Sequence, residues 1–461
     1  MANSPAPPTT TGIDDAPVRP FHYRMSAFVG GGQFIDGYIL GVVAIGFVLI
    51  PADFGLTPVW KGLIGASALI GIFVGGIIFG WITDLIGRKH LYTIDLAVFV
   101  VGSIGQFFVE NPWQLFVVRL IMGIAIGADY AVGPSYLSEF VPRKLRGRIL
   151  GSLVGMWTLG YVISLAVGVV GRGWGPDGWR WVLASSAVPA VAVLFLRLGS
   201  PESPRWLVSK GRLDEAAAIC KKYLGDAVTV DDLLNESNVR PSYRKLLSGI
   251  WLKRVLFVGI FWSALAWPSF AIFTFLPQVL RTLDIDNADM GALAIRSLSL
   301  IGFGVGWYAI GRMGRRPMLL WTLVAMTGIF AVLGLVPSPP GWLAVVGFAM
   351  FALSLGFVSN VEFLYPPELF PTDIRGSGVG LGSALSRVGG AAGTFLLPIL
   401  LAGPGLQFSM FVTALVTLIG AGVTALWAPE TKDVSLREAS TGEPQPTAAV
   451  PAPRVGETTK V

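Results

Sequence analysis

Cysteine and histidine are almost missing from this chain. One cysteine in 461 residues, Cys220, excludes a disulfide framework, and two histidines, His22 and His90, leave little material for a metal site. Charge is scarce too. Asp, Glu, Lys and Arg make up 13% of the residues, about half the share that a domain facing water on all sides carries. Met1 to Arg24, rich in Pro and Thr and without a basic stretch followed by a short apolar core, is not expected to be a cleaved leader. It is expected to be a tail without fixed structure. The short alternating segments of a membrane barrel are absent as well.

What is present is apolar. Such residues form 53% of the chain and recur in long runs from residue 26 to residue 428. A helix needs about 20 of them to cross about 30 Å of hydrocarbon. Twelve spans fit, near 26–50, 59–82, 91–109, 113–137, 148–171, 180–199, 254–280, 289–310, 317–337, 341–365, 375–401 and 405–428. Between the sixth and seventh lies a polar segment, 200–253, whose stretch from Arg212 to Leu224 has apolar residues at helical spacing. The expected organisation is a tail (1–25), six spans (26–199), a linker (200–253), six more spans (254–428) and a second tail (429–461).

Basic residues orient the chain. Arg88, Lys89, Arg143, Lys144, Arg146, Arg312, Arg315, Arg316, Arg375 and the linker fall on one side. Connections on the other side hold mainly Asp53, Glu110, Asp177, Asp284 and Asp286. By the positive-inside rule both termini and the linker are cytoplasmic. The formal charge of +6 is therefore topological and implies no nucleic-acid partner. A repeat is also visible. Glu139-x-x-Pro142-x-x-x-Arg146-Gly147 recurs as Glu368-x-x-Pro371-x-x-x-Arg375-Gly376, and Gly87-Arg88-Lys89 recurs as Gly314-Arg315-Arg316, at offsets of 229 and 227. A six-span unit has been duplicated, an architecture that puts a substrate site between the halves near the membrane midplane.

Gly80-x-x-x-Asp84-x-x-Gly87-Arg88-Lys89 resembles the signature of the major facilitator superfamily. Arg119-x-x-x-Gly123-x-x-x-Gly127, the Glu139 loop, Pro201-Glu202-Ser203-Pro204-Arg205-Trp206-Leu207 and Pro429-Glu430-Thr431-Lys432 resemble sugar-porter signatures shared with metabolite and organic-ion transporters. The resemblance implies an all-α membrane protein with twelve transmembrane helices in two pseudo-symmetric six-helix bundles. It further implies a monomeric secondary transporter in a bacterial cytoplasmic membrane, working with a small solute and protons and without a cofactor. Ion pairs across the halves among Asp84, Arg88, Glu139, Arg146, Glu202 and Arg205, with Arg315, Glu368 and Arg375 as a second copy, are expected to form a cytoplasmic gate. Gly311 replaces the second copy's aspartate, so the gate is expected to be asymmetric.

Charges inside spans are costly, about 2.5–3.5 kcal/mol at the bilayer centre on insertion scales, so they face a cavity or a partner. Asp36 lies about 15 Å deep at 1.5 Å per residue, and Arg119 at a similar depth. A carboxylate beside an arginine stays charged, and one separated from it and dried takes a proton. Asp36 is expected to carry the coupling proton and Arg119 to modulate it, as the coupling pair does in proton-linked members of the superfamily. Many sugar porters place this aspartate after Gly-Tyr, whereas Asp36-Gly37-Tyr38-Ile39 reverses the order and is more similar to aromatic-acid/proton symporters.

Gln33, Tyr38, Asp129, Tyr130, Tyr161, Trp262, Trp267, Arg296, Asn360, Glu362 and Arg387 are the candidates to line a substrate cavity. Sugar porters carry Gln and Asn ligands in the seventh span, and here Ala264, Leu265 and Phe270 fill those slots. A carboxylated or aromatic metabolite is therefore expected ahead of a sugar, with Arg296 and Arg387 either holding a substrate carboxylate or pairing with Glu362 or Asp129. The fifth span lacks the Gly-Pro-rich stretch of many drug antiporters, which ranks an exporter below a symporter. An enzyme and a nutrient sensor rank lower still.

Overall fold

The computed structural model describes residues 17–197, 199–225, 228, 230, 233–234, 246–371 and 374–432; side chains at 80, 81, 84, 143, 144 and 146–148 are outside the description. Both expected tails fall largely outside it. Among the described residues, twelve helices are long and apolar enough to cross a membrane. In order they are Pro20–Leu49, Pro58–Ile86, Arg88–Gly105, Pro112–Ser138, Arg143–Gly171, a sixth span broken into Gly178–Ala184 and Ala187–Arg197, then Gly249–Thr282, Ala288–Ala309, Arg315–Leu335, Gly341–Glu368, Arg375–Ala402 and Leu406–Trp427. Proline opens the first, second and fourth, where its missing N–H leaves no bond unmade. Thr57 and Asn111 cap the second and fourth by accepting from the backbone N–H groups of Trp60 and Gln114. The linker contributes short helices at Pro204–Ser209 and Leu213–Ile219, with buried Cys220 just beyond.

Glycine decides which helices touch backbone to backbone. A Cβ on Gly37 would lie 1.9 Å from the carbonyl oxygen of Trp157, and one on Gly160 equally close to that of Phe34, so the first and fifth spans cannot separate by even a methyl group. Gly123 and Gly127 press against Ala68 and Ile72, joining the fourth span to the second as their spacing suggests. In the second half, Gly302 and Gly356 bring the eighth and tenth together in the same way. The two bundles are thus built on matching close pairs.

Two ends can be distinguished. The linker end carries the basic connections; the far end carries the turns after the first, third, fifth, seventh, ninth and eleventh spans. Across the halves, the second and eleventh spans meet through Gly62 on Phe395 and Gly65 on Thr394, in the part of the membrane toward the far end. Phe47 stacks on Phe275 with ring centres 5.3 Å apart, joining the first span to the seventh.

Candidate functional site

The linker-end charges form two copies of one arrangement, each inside its own half. Arg88 pairs with Glu139, which also accepts from the hydroxyl of Ser203. Glu202 accepts from the backbone N–H groups of Arg88 and Lys89 at 3.0 and 3.2 Å, placing a carboxylate at the positive end of the third span. In the second half Arg315 pairs with Glu368 at 3.1 Å, Thr431 donates to Glu368 at 2.5 Å, and Glu430 accepts from the N–H groups of Arg315 and Arg316 at 3.0 and 3.3 Å. Tyr136 and Tyr365 donate to the carbonyls of Pro201 and Pro429. These contacts differ from pairs running across the halves: Arg88, Glu139 and Glu202, like Arg315 and Glu368, brace single bundles. Arg375 donates to Phe370 O within its own half, and Arg205 heads the short helix at Pro204–Ser209. The side chains of Asp84 and Arg146 lie outside the described residues. Pro201-Glu202-Ser203 and Pro429-Glu430-Thr431 are themselves a third repeat, at an offset of 228, which their matching contacts make visible.

Such carboxylates act chiefly as caps. Glu202→Ala is therefore expected to lower stability by about 0.5–2 kcal/mol, with Glu430→Ala doing the same, visible as a lower melting temperature of the purified protein with transport retained.

The far end, by contrast, has an ion pair that does cross the halves. Arg172, at the end of the fifth span, bonds Asp289 of the eighth at 2.6 Å, and Arg281 of the seventh reaches the same buried carboxylate at 3.3 Å.

Asp36 is buried, but its neighbour is not Arg119. Gln33 donates to Asp129 at 3.1 Å and to Asp36 at 3.4 Å. Asp129 pairs with Arg197 at 3.1 Å, and Arg197 reaches Asp95 at 3.5 Å with its guanidinium 3.6 Å above the Tyr92 ring. Two buried carboxyl groups, Asp95 and Asp129, thus share one guanidinium, and Gln33 joins Asp36 to them. Arg119, also buried, donates at 3.4 Å to the carbonyl of Ile39, one turn further along the first span, and at 3.5 Å to Gln106. Equal depth does not mean the same direction: Asp36 turns toward Asp129 while Arg119 meets the helix at Ile39. Asp95, Gln106 and Arg197 were not anticipated, although the cost of an ionisable group within a span points to Asp95 as it does to Asp36.

A second polar cluster lies where the halves meet. Arg296, on the eighth span, is buried with its guanidinium carbon 4.1 Å from the ring centre of Phe273, 4.6 Å from Tyr161 and 5.6 Å from Trp157. Tyr161 and Trp157 belong to the fifth span, in the other half. Among the described residues no carboxylate lies within ion-pair distance of Arg296. Arg387, on the eleventh span, sits over Tyr130 at 5.2 Å and Phe270 at 5.7 Å. Glu362, half-buried, feels the charge of Arg387 without forming a close pair. The Nε atoms of Arg296 and Arg387, the indole N–H of Trp157 and the hydroxyl of Tyr161 are buried without a hydrogen-bond partner in the structure. Buried polar groups are rarely left so, and a cluster of them marks where a polar ligand or water belongs.

Other candidates have different tasks. Tyr38 bonds Ser185 at 2.8 Å inside the first bundle, and Asn360 donates at 3.2 Å to the carbonyl of Phe303, tying the tenth span to the eighth. Gln33 bridges two aspartates. Trp267 packs on Gly393 of the eleventh span, and Trp262 lies against Phe261 and Phe363. Tyr130, Tyr161, Arg296 and Arg387 remain around the junction, together with Trp157 and Phe270.

The family model for sugar and other transporters matches residues 28–442. The inner membrane metabolite transport protein YgcS of Escherichia coli (strain K12) is 38% identical over 424 residues, covering 92% of this chain and 95% of that protein. The major myo-inositol transporter IolT of Bacillus subtilis (strain 168) is 28% identical over 436 residues, covering 88% and 91%. A partially occluded, inward-open structure of the xylose transporter XylE from E. coli superposes with a TM-score of 0.77 at 19% identity, covering 90% of this chain and all of that one, a likeness of fold.

Proposed function

The chain belongs to the family of sugar and other transporters within the major facilitator superfamily, and we propose that its cargo is a small aromatic carboxylate taken up together with protons. Arg296 carries this conclusion most directly: a buried guanidinium without an acid partner, set among Phe273, Tyr161 and Trp157. Aromatic faces hold a cation but do not neutralise it. A carboxylate would, while its ring lies against the same side chains. Because Arg296 and Tyr161 come from different halves, the bound solute draws the halves together, the step that alternating access requires.

Proton binding falls to the cluster around Asp36. If Asp36, Asp95 and Asp129 were all ionised, Arg197 would balance one charge and leave two uncompensated, at several kcal/mol each in a low-dielectric interior. Protons on Asp36 and its neighbours remove that burden. Gln33, touching both Asp36 and Asp129, transmits a change at one to the other. Arg119 acts as a positioning residue, holding the first span at Ile39. A carboxylate entering with one proton moves no net charge and follows the pH gradient alone. A second proton would add about 2.3 kcal/mol per 100 mV of membrane potential. The linker end, with its Lys and Arg, faces the cytoplasm by the positive-inside rule, in the inner membrane of a bacterium, the membrane named for the relative YgcS.

A polyol or sugar is the alternative cargo, favoured by the substrate named for the relative IolT. Purified protein would be melted in the presence of carboxylates, sugars and cationic drugs, and the panel repeated with Asp36→Asn. Stabilisation by aromatic carboxylates is the expected result; stabilisation by sugars alone would overturn the proposal.

A further inference from the structure

We propose that the far end carries a second, outer capture site for the carboxylate of the solute, formed by Lys61, Gln278 and Arg281. These three side chains line a cavity of about 360 Å³ whose apolar wall comes from the end of the first span, including Phe47 and Ile50, and from Leu56. The site joins the two halves, with Lys61 on the second span and Gln278 and Arg281 on the seventh.

Its chemistry is that of an anion receptor with an apolar wall. Lys61 is half-buried, and among the described residues no carboxylate pairs with it; none lines the cavity. The side-chain oxygen of Gln278 is buried and has no donor, so it can accept from a hydroxyl or N–H group of the solute. Arg281 is divided between this cavity and Asp289, whose two oxygens it reaches at 3.3 Å. Asp289 is also the group that Arg172 grips at 2.6 Å across the halves. A carboxylate bound by Lys61 and Arg281 therefore competes with Asp289 for Arg281. Its arrival removes one of the two guanidiniums on Asp289 and loosens the closure of the far end. The anion favours the opening that admits it, whereas a neutral sugar exerts no such pull.

The proposal rests on the carboxylate cargo, but its test requires neither transport nor knowledge of the cargo, so the two can fail separately. In Leu56→Cys protein a thiol lies in the cavity wall, and the native Cys220 is buried. Purified protein would be reacted with anionic sulfonatoethyl and cationic trimethylammonioethyl methanethiosulfonate, each rate scaled to a free thiol. The anionic reagent is expected to react faster by about tenfold, the low end of electrostatic focusing in a charged cleft. Lys61→Gln should bring the ratio close to unity, Lys61→Arg should retain it, and sodium benzoate should slow labelling. A ratio that favours the cation, a ratio indifferent to Lys61→Gln, or protection by phosphatidylglycerol but not benzoate would overturn the site.

Discussion

Asp36→Asn is expected to abolish accumulation driven by a pH gradient, which for one coupled proton is worth about tenfold per unit of pH difference, while leaving exchange of solute across the membrane close to that of the parent. Asparagine keeps the shape of the side chain and its contact with Gln33 but cannot carry a proton. The solute site proposed around Arg296 and Arg387 has no member of the Asp36 hydrogen-bonded cluster among its closest contacts, so binding should survive. Arg119→Gln makes the comparison sharper. Its side chain contacts Ile39 and Gln106 rather than Asp36, so the substitution should slow both exchange and accumulation together. Loss of accumulation alone in Arg119→Gln, with Asp36→Asn still coupled, would reverse the assignment of the proton carrier.

Arg296→Gln is expected to weaken solute binding by about 30-fold or more, the loss that follows when one partner of a desolvated charge pair, worth about 2–5 kcal/mol, is removed. The same change should leave the empty protein as stable as the parent or more so. Arg296, with no acid in contact among the described residues, carries a desolvation cost that no counter-charge offsets, and removing its charge lifts that cost. Higher melting temperature with weaker binding is thus the signature of a ligand-binding cation. A lower melting temperature with unchanged affinity would identify Arg296 as a packing residue instead. Arg387→Gln should show a smaller version of the effect, because the charge of Glu362 already acts on Arg387.

The closure at the far end supplies a third contrast. Asp289→Asn removes the carboxylate that Arg172 and Arg281 share and is expected to raise the share of molecules open at that end. A cysteine placed at Phe275 should then label faster with an impermeant thiol reagent. Glu139→Gln, which acts within one half, should leave that rate unchanged. Equal acceleration in both variants would mean that the linker-end pairs also hold the halves together.

Much of the architecture is legible in the sequence because it is encoded by neighbours along the chain. Apolar runs mark the spans, and the Gly87 and Glu139 motifs recur at nearly one offset. The glycine stripe at Gly123 and Gly127 marks a helix contact that the structure confirms against Ala68 and Ile72. The partnership of Asp36 was not legible in the same way. Depth follows from counting residues, but the direction in which a side chain points depends on how its helix is rotated and on what lies beside it. Gly37 and Gly160 lock the first span against the fifth, and that rotation turns Asp36 toward Asp129, leaving Ile39 for Arg119. Pairs within a half, such as Arg88 with Glu139, look identical in sequence to pairs across the halves. Arg197 escaped notice because a basic residue at the end of a span resembles an orienting charge.

Proton movement itself is the most direct test. Right-side-out vesicles, or proteoliposomes of known orientation loaded with a pH indicator, would be given an acid exterior and then an aromatic carboxylate identified by the melting panel. Solute accumulation accompanied by interior acidification, with the acidification lost in Asp36→Asn, is the predicted result. Expulsion of the solute under the same gradient, or uptake with no proton following it, would contradict an inward carrier coupled through Asp36.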